Sequence, residues 1–264
     1  MGYRRILTVV NEHTASTVIA RYAVAMVLAC KASLILYSAH DKGADETILR
    51  HTDRHLDHLN AVALELEVPV TRITEVGDIC RLLPKRALVE NADLVFYPLL
   101  PDERYGASFR SHPVHRLLRT VRSDLAIMRA ITMARPHPRH ILMPLGGMVG
   151  DTERRLLFIA ALAGSFHAQV TLLHLYSQKN LQGMPDQITR FREQLQQHQV
   201  TVLERNLKGP VGKTIRLEAI ARHHDLIVLG ASERGIVRKL FFGDPAGNVI
   251  HKPPCNTILF RPAD

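Results

Sequence analysis

Between Ile141 and Phe260, short apolar runs alternate with longer stretches in which apolar residues return every three or four positions. The runs 141–145, 169–175, 201–206, 226–229 and 257–260 have strand length and lie between turn formers. The stretches 151–165, 185–197, 211–223 and 245–251 have helix length. The first of these helices opens on Asp151 or Thr152 as N-cap, with Glu153 in its first turn. Short apolar strands alternating with helices of ten or more residues imply an α/β fold: a parallel sheet covered on both faces. In such sheets ligands sit at the carboxyl ends of the strands, near the point where strand order reverses.

The pattern occurs twice. Asp93-Leu-Val-Phe-Tyr-Pro returns as Asp225-Leu-Ile-Val-Leu-Gly, and Gly77 returns as Gly209 at the same offset of 132 (225 against 93). Each copy then closes on a strand and an arginine, Asp124–Arg129 in the first and Asn256–Arg261 in the second. Upstream, Arg4-Arg-Ile-Leu-Thr-Val-Val pairs with Arg139-His-Ile-Leu-Met-Pro-Leu, and Lys31-Ala-Ser-Leu-Ile-Leu-Tyr with His167-Ala-Gln-Val-Thr-Leu-Leu. Matched landmarks in one order indicate a tandem duplication, with domains expected at 1–132 and 138–264. The boundary falls in Met133-Ala-Arg-Pro-His-Pro-Arg139, whose prolines disfavour helix and central strand.

The strand expected at 226–229 runs into Leu229-Gly-Ala-Ser-Glu-Arg-Gly-Ile-Val-Arg-Lys-Leu-Phe-Phe-Gly-Asp-Pro-Ala-Gly247. A phosphate cradle requires unobstructed backbone N–H groups beside a helix N-terminus. Gly230 directly after the strand, Gly235 in the turn and Gly243 before Asp244-Pro245 stand where that chemistry needs them, and Pro245 suits a first helical position. The same glycines would serve equally to permit positive φ in two connections.

Asp225-Leu-Ile-Val-Leu-Gly230, Gly243 thirteen positions on, and then Asn-Val-Ile-His-Lys-Pro-Pro-Cys-Asn-Thr-Ile-Leu-Phe-Arg261 resemble the C-terminal half of a universal stress protein domain, whose pattern is Gly-x2-Gly-x9-Gly-Ser/Thr, a helix, a Pro-Cys-Pro-like turn and a last strand. The resemblance covers nearly the whole chain as two domains. It implies two tandem doubly wound domains, each with a five-stranded parallel sheet in flavodoxin-like or adenine nucleotide alpha hydrolase-like layering. It also implies ATP or AMP as ligand in one branch, and dimerisation through the last strand. Carried over residue by residue, the ligand contacts fall on Gly230, Ala231, Ser232, Gly235, Gly243 and Asp244, with Mg bridging Asp244 and the phosphates as one way to accommodate that carboxylate. Gly146, and Asn11 in the first copy, fall where family members carry an acidic residue after the first strand. The match departs at Glu233, which replaces the second glycine, and at Asp244, which replaces Ser/Thr. The last strands, 125–129 and 257–261, are expected to pair, so that one chain imitates a dimer of single-domain relatives; a homodimer of chains is a further expectation.

At the positions of Gly230, Glu233 and Gly243 the first copy carries Pro98, Pro101 and Ser111. The prolines donate no hydrogen bond, so this copy is expected to be structural. Arg104, Arg110, Arg116, Arg119 and Arg122, with His112 and His115, could hold an anion by side chains or form an exposed basic helix. His51, His55 and His58 share a helical face, which reads as solvated polar surface ahead of a zinc or nickel site.

The net charge of +9, from 34 Lys+Arg against 25 Asp+Glu, favours anionic partners in general. With 5% aromatics and no Trp there is little for nucleic-acid bases to stack on. No apolar run approaches the roughly 20 residues of a membrane span, so a cytoplasmic location without membrane insertion is expected. Cys30, Cys80 and Cys255 are scattered without metal or disulfide spacing and read as buried thiols. His223-His224-Asp225 ends a helix, where imidazoles meet the C-terminal dipole. No nucleophile elbow, Walker loop or His-Glu-x-x-His occurs, so at most weak ATP hydrolysis is expected. The function that the family resemblance implies is a stress-response binding and sensing module. The competing reading is a scaffold that recognises a protein or transporter partner without nucleotide.

Overall fold

The computed structural model describes residues 2–100, 113–131, 137–146, 152–176, 184–230, 249 and 253–263. The chain divides into two compact units, Met1–Ala130 with Ala263–Asp264, and Ile131–Pro262.

In the first unit β1 (Arg5–Val9), α1 (Thr14–Cys30), β2 (Ser33–His40), α2 (Glu46–Glu65), β3 (Val70–Val76), α3 (Ile79–Val89), β4 (Leu94–Pro98), α4 (Pro113–Thr120) and β5 (Asp124–Arg129) follow in sequence. The strands are parallel in the order β3-β2-β1-β4-β5. Strand order reverses between β1 and β4, and this places a crevice at their carboxyl ends.

The second unit repeats the plan with β6 (His140–Leu145), α5 (Thr152–Phe166), β7 (Gln169–Tyr176), α6 (Asp186–Gln197), β8 (Val202–Lys208), α7 (Val211–Ala221), β9 (Leu226–Gly230) and β10 (Asn256–Arg261), in the order β8-β7-β6-β9-β10. Every one of its expected strands forms. The helix expected over 245–251 lies outside the described residues apart from Val249, which is helical and fully buried. The helix expected to reach His223 stops at Ala221, because His223 turns left-handed at φ 52° and closes it.

The duplication extends to backbone conformation. Among the described residues six non-glycine positions have positive φ, and they form three matched pairs: Lys31 with His167, Glu67 with Gln199, and Asn91 with His223. Each sits just past a helix, where one left-handed residue lets the backbone turn toward the next strand. Gly77 and Gly209, each between a strand and the next helix, form a further matched pair at φ 140° and 152°. The recurring Asp of Asp-Leu-Val/Ile is likewise architectural. Asp93 Oδ2 accepts hydrogen bonds from the Arg4 and Arg5 amides at 2.6 and 2.9 Å, and Asp225 Oδ2 from the Arg139 and His140 amides at 2.9 and 3.1 Å. In each unit it pins the start of the central strand.

The interior strands β1, β2 and β4 read as continuous apolar runs because helices cover both faces, whereas β3 and β8, each at an end of its unit's strand order, alternate and carry charge outward. Tyr22, Tyr37 and Phe96 are fully buried in the first unit. In the second, Phe158 of α5 stacks on Phe260 of β10 with ring centroids 4.1 Å apart.

Candidate functional site

A cavity of about 550 Å³ opens at the strand-order reversal of the first unit. Its floor is the end of β1 and the following turn, Val9 to His13, with Ala39 from β2 and Tyr97 and Pro98 from β4; Ile79, Leu99, Leu100, Pro113 and Val114 close its sides. The volume lies in the range of small-molecule sites, roughly 300–1,000 Å³.

The turn after β1 is held rigid by its own side chains. The Asn11 amide donates to Ser16 Oγ at 3.1 Å, the His13 amide donates to Asn11 Oδ1 at 3.1 Å, and the Ser16 hydroxyl returns to the His13 carbonyl at 2.8 Å. From α2, His55 Nδ1 lies 2.8 Å from the Asn11 carbonyl oxygen; a carbonyl only accepts, so this nitrogen carries the proton. The histidine face noted in the sequence therefore splits: His55 braces the cavity turn, while His51 and His58 are exposed. Among the described residues no group of three or more His, Cys, Asp or Glu could hold a metal ion.

Polar groups in the cavity are few and specific. Glu12 follows the end of β1, with His13 Nε2 3.2 Å from its Oε1. Tyr97 makes no side-chain hydrogen bond among the described residues, and burial, with smaller contributions from Cys80 and the Asp78 carboxylate, raises its phenol pKa. The backbone offers little: the Val10 amide goes to the Tyr37 carbonyl and the Leu99 amide to the Met128 carbonyl, both at 2.8 Å, and Pro98 and Pro113 have no N–H. The prolines of this copy remove phosphate-gripping amides, as argued from sequence, yet the cavity persists because divergence of β1 and β4 creates it, not glycines.

In the second unit the corresponding place lies at the exits of β6 and β9. Gly230 is the last residue of β9 and Gly146 follows β6, exposed. Ala231, Ser232, Glu233, Gly235, Gly243 and Asp244 lie outside the described residues. A side chain at Gly230 would overlap the guanidinium of Arg155, which reaches over from α5 and is buried, 5% exposed. Sequence reasoning missed Arg155, although a signal was present: it stands three and four positions before Phe158 and Ile159, on the helix face that packs inward. It brings a fixed positive charge to the β9 exit.

The basic segment of the first copy is partly absorbed by the fold. Arg116 Nη2 donates to Asp78 Oδ2 at 2.9 Å, and Asp78 also caps α3 through the Cys80 amide at 2.9 Å; Arg104 and Arg110 lie outside the described residues. Cys80 and Cys255 are buried as expected, and burial pushes their thiols up to about 11 and about 12 respectively. Cys30 is half-buried and shifted in the same direction for the same reason. His224 is buried beneath the end of α7, 7% exposed, and burial lowers its pKa.

Comparison with known proteins agrees with this architecture. Over 98% of this chain and 97% of the other, the fold superposes on a universal stress protein from Archaeoglobus fulgidus DSM 4304, with a TM-score of 0.67 and 13% identity. A functionally unknown protein from Pseudomonas aeruginosa PAO1 gives 0.64 at 18% identity, covering 99% and 94%. The cytoplasmic domain of a prokaryotic cation chloride cotransporter gives 0.65 at 12% identity, covering 100% and 96%. At these identities the likeness is one of fold. No curated protein matches the chain. Residues 138–261 match the family model of the universal stress protein family. The second of the chain's two α/β units is thus a domain of the universal stress protein family.

Proposed function

We propose that the protein is a stress-response binding and sensing module of the cytoplasm, and that its second unit receives an adenine nucleotide, ATP or AMP, at the exit of β9. The observation that carries this reading is the pairing of Gly230, a residue without a side chain at the end of a central strand, with the buried guanidinium of Arg155 beside it. Bare main chain and a fixed cation next to the strand-order reversal are what a phosphate group requires. In this reading Gly146, Ala231, Ser232, Gly235 and Gly243 complete the cradle, and Asp244 meets the phosphates through Mg. Universal stress protein membership supports the assignment.

Titration calorimetry with ATP and with AMP, each with and without magnesium, tests it. Saturable heat that Gly230→Val abolishes while the circular dichroism spectrum is kept is the expected result. The substitution is structurally mild because its first obstacle is the end of the flexible Arg155 side chain. Absence of heat at millimolar nucleotide would remove the nucleotide from the proposal. The competing reading, a scaffold for a protein or transporter partner, draws on the same arginine. A guanidinium over Gly230 also narrows the exit, and one structure of the same fold is a transporter's cytoplasmic domain. Recovery of one partner, equally with and without ATP, would favour it.

A further inference from the structure

The first unit's cavity has chemistry of its own, independent of what the second unit binds. We propose that it is a binding site for a small uncharged, largely apolar molecule that carries one hydrogen-bonding group, directed to the Tyr97 hydroxyl, and that it excludes phosphates and carboxylates.

Three observations lead there. Most of the lining is hydrocarbon: Val9, Val10, Ala39, Ile79, Leu99 and Val114 are among the residues that would wrap an aromatic or aliphatic body. The amides that could grip an oxyanion are committed at Val10, Asn11, His13 and Leu99, and are absent at Pro98 and Pro113. Finally, two of the three helix N-termini at the cavity already have an anion, while α4, whose first residues Pro113 and Val114 line it, carries no acid in its first turn. Glu12 stands two residues before α1, and Asp78 is the N-cap of α3, accepting from the Cys80 amide. A helix terminus supplied with its own carboxylate offers less to a second negative charge. The ionisable acid lining the cavity among the described residues is thus Glu12, with His13 beside it; Asp78, next to the lining residue Ile79, is offset by Arg116. An incoming anion would meet Glu12 with no free cation among these to compensate.

Tyr97 supplies the one directional contact. Tyr97 lines the cavity and makes no side-chain hydrogen bond among the described residues. A partly buried phenol gains from a partner, and a ligand hydroxyl or N–H provides one.

Three probes of one shape and AMP test the assignment: tryptophol, 3-ethylindole without its hydroxyl, and indole-3-acetate as the anion. Binding to the full chain is measured by calorimetry. Tryptophol is expected to bind about tenfold more tightly than 3-ethylindole and than indole-3-acetate, a ratio of the size one hydrogen bond or one uncompensated charge produces. Tyr97→Phe should erase the advantage over 3-ethylindole while leaving 3-ethylindole itself unchanged. Glu12→Gln should raise the affinity of indole-3-acetate. Ala39→Trp, which fills the cavity, should abolish tryptophol binding; its circular dichroism and thermal midpoint report whether the fold is kept, and Tyr97→Phe gives an independent reading if it is not. Indole-3-acetate binding as tightly as tryptophol would overturn the proposal, as would tryptophol affinity insensitive to Tyr97→Phe, or AMP heat that Ala39→Trp removes while Gly230→Val does not.

Discussion

Single residues carry two kinds of message in this chain, and burial separates them. The cysteines illustrate one kind. With their thiols raised to about 11 and about 12, Cys80 and Cys255 hold almost no thiolate at neutral pH. Counting iodoacetamide adducts in native protein at pH 8 should leave both unlabelled over times in which urea-unfolded protein labels completely; fast native labelling of either would contradict the packing. His224 illustrates the other. Its pKa is lowered by burial from the ordinary 6.5, so the unfolded chain takes up a proton there before the folded one does. Stability from this group is complete above about pH 6.5 and falls as pH drops through the window between the unfolded value and the depressed folded one. Denaturant midpoints measured from pH 7.5 to 5 should therefore decline less steeply in His224→Gln than in wild type. Asp93 and Asp225 bind two strand amides each, and removing either by substitution with Ala should cost about 1–3 kcal/mol through stranded N–H groups. Their repetition was plain in the sequence, but the sequence could not distinguish a strand pin from a ligand contact, because both put an acid next to an apolar run.

At the scale of elements, the two copies have diverged by exchanging charge. On β3, Arg72 pairs with Asp53 at 2.6 Å and with Asp57, both on α2; the matching strand position, Glu204 on β8, accepts from Arg192 of α6 at 3.1 Å. On α3, Arg86 reaches Glu75 of β3 at 2.6 Å, while the matching helix position in the second unit is Glu218, which accepts from Arg205 of β8 at 3.0 Å. Each helix therefore suits its own sheet edge. Placed on the other copy, Arg86 would face Arg205 and Glu218 would face Glu75, so like charges oppose exchange of elements between duplicated units. Glu218 is 6% exposed in its side chain, and Glu218→Arg should cost about 2–4 kcal/mol, largely restored by adding Arg205→Glu. The exposed Arg72–Asp53 pair should matter little, within about 0.5 kcal/mol on charge reversal of Asp53. Equal effects of the two reversals in chemical denaturation would show that burial is not what sets their weight. Helix and strand positions were legible from periodicity, since period and length differ between the two elements. The helix ends were less so: His223 closes α7 by adopting φ 52°, a conformation that its residue type permits without announcing.

For the whole molecule, duplication has produced a strand-order reversal in each unit, with unlike residues at the two. The first holds an apolar cavity, with Glu12 and Tyr97 as its polar groups of note; at the second, Gly230 lies beside Arg155. In the reading given above, calorimetry should find one nucleotide per chain, and Ala39→Trp should leave that stoichiometry unchanged. Two nucleotides per chain would mean that the first cavity accepts phosphate after all. The sequence by itself determined the duplication, the alternation of strand and helix, and the family, because these rest on local periodicity and on repeated landmarks that survive without coordinates. Which crevice is formed, and by what, was decided only in three dimensions. Tyr97, Glu12 and Ala39 come from three strand ends far apart in the chain, and Arg155 from a helix seventy-five positions before Gly230. A cavity is a property of surfaces that meet when a parallel sheet twists and its strand order reverses, and no window of consecutive residues contains that information.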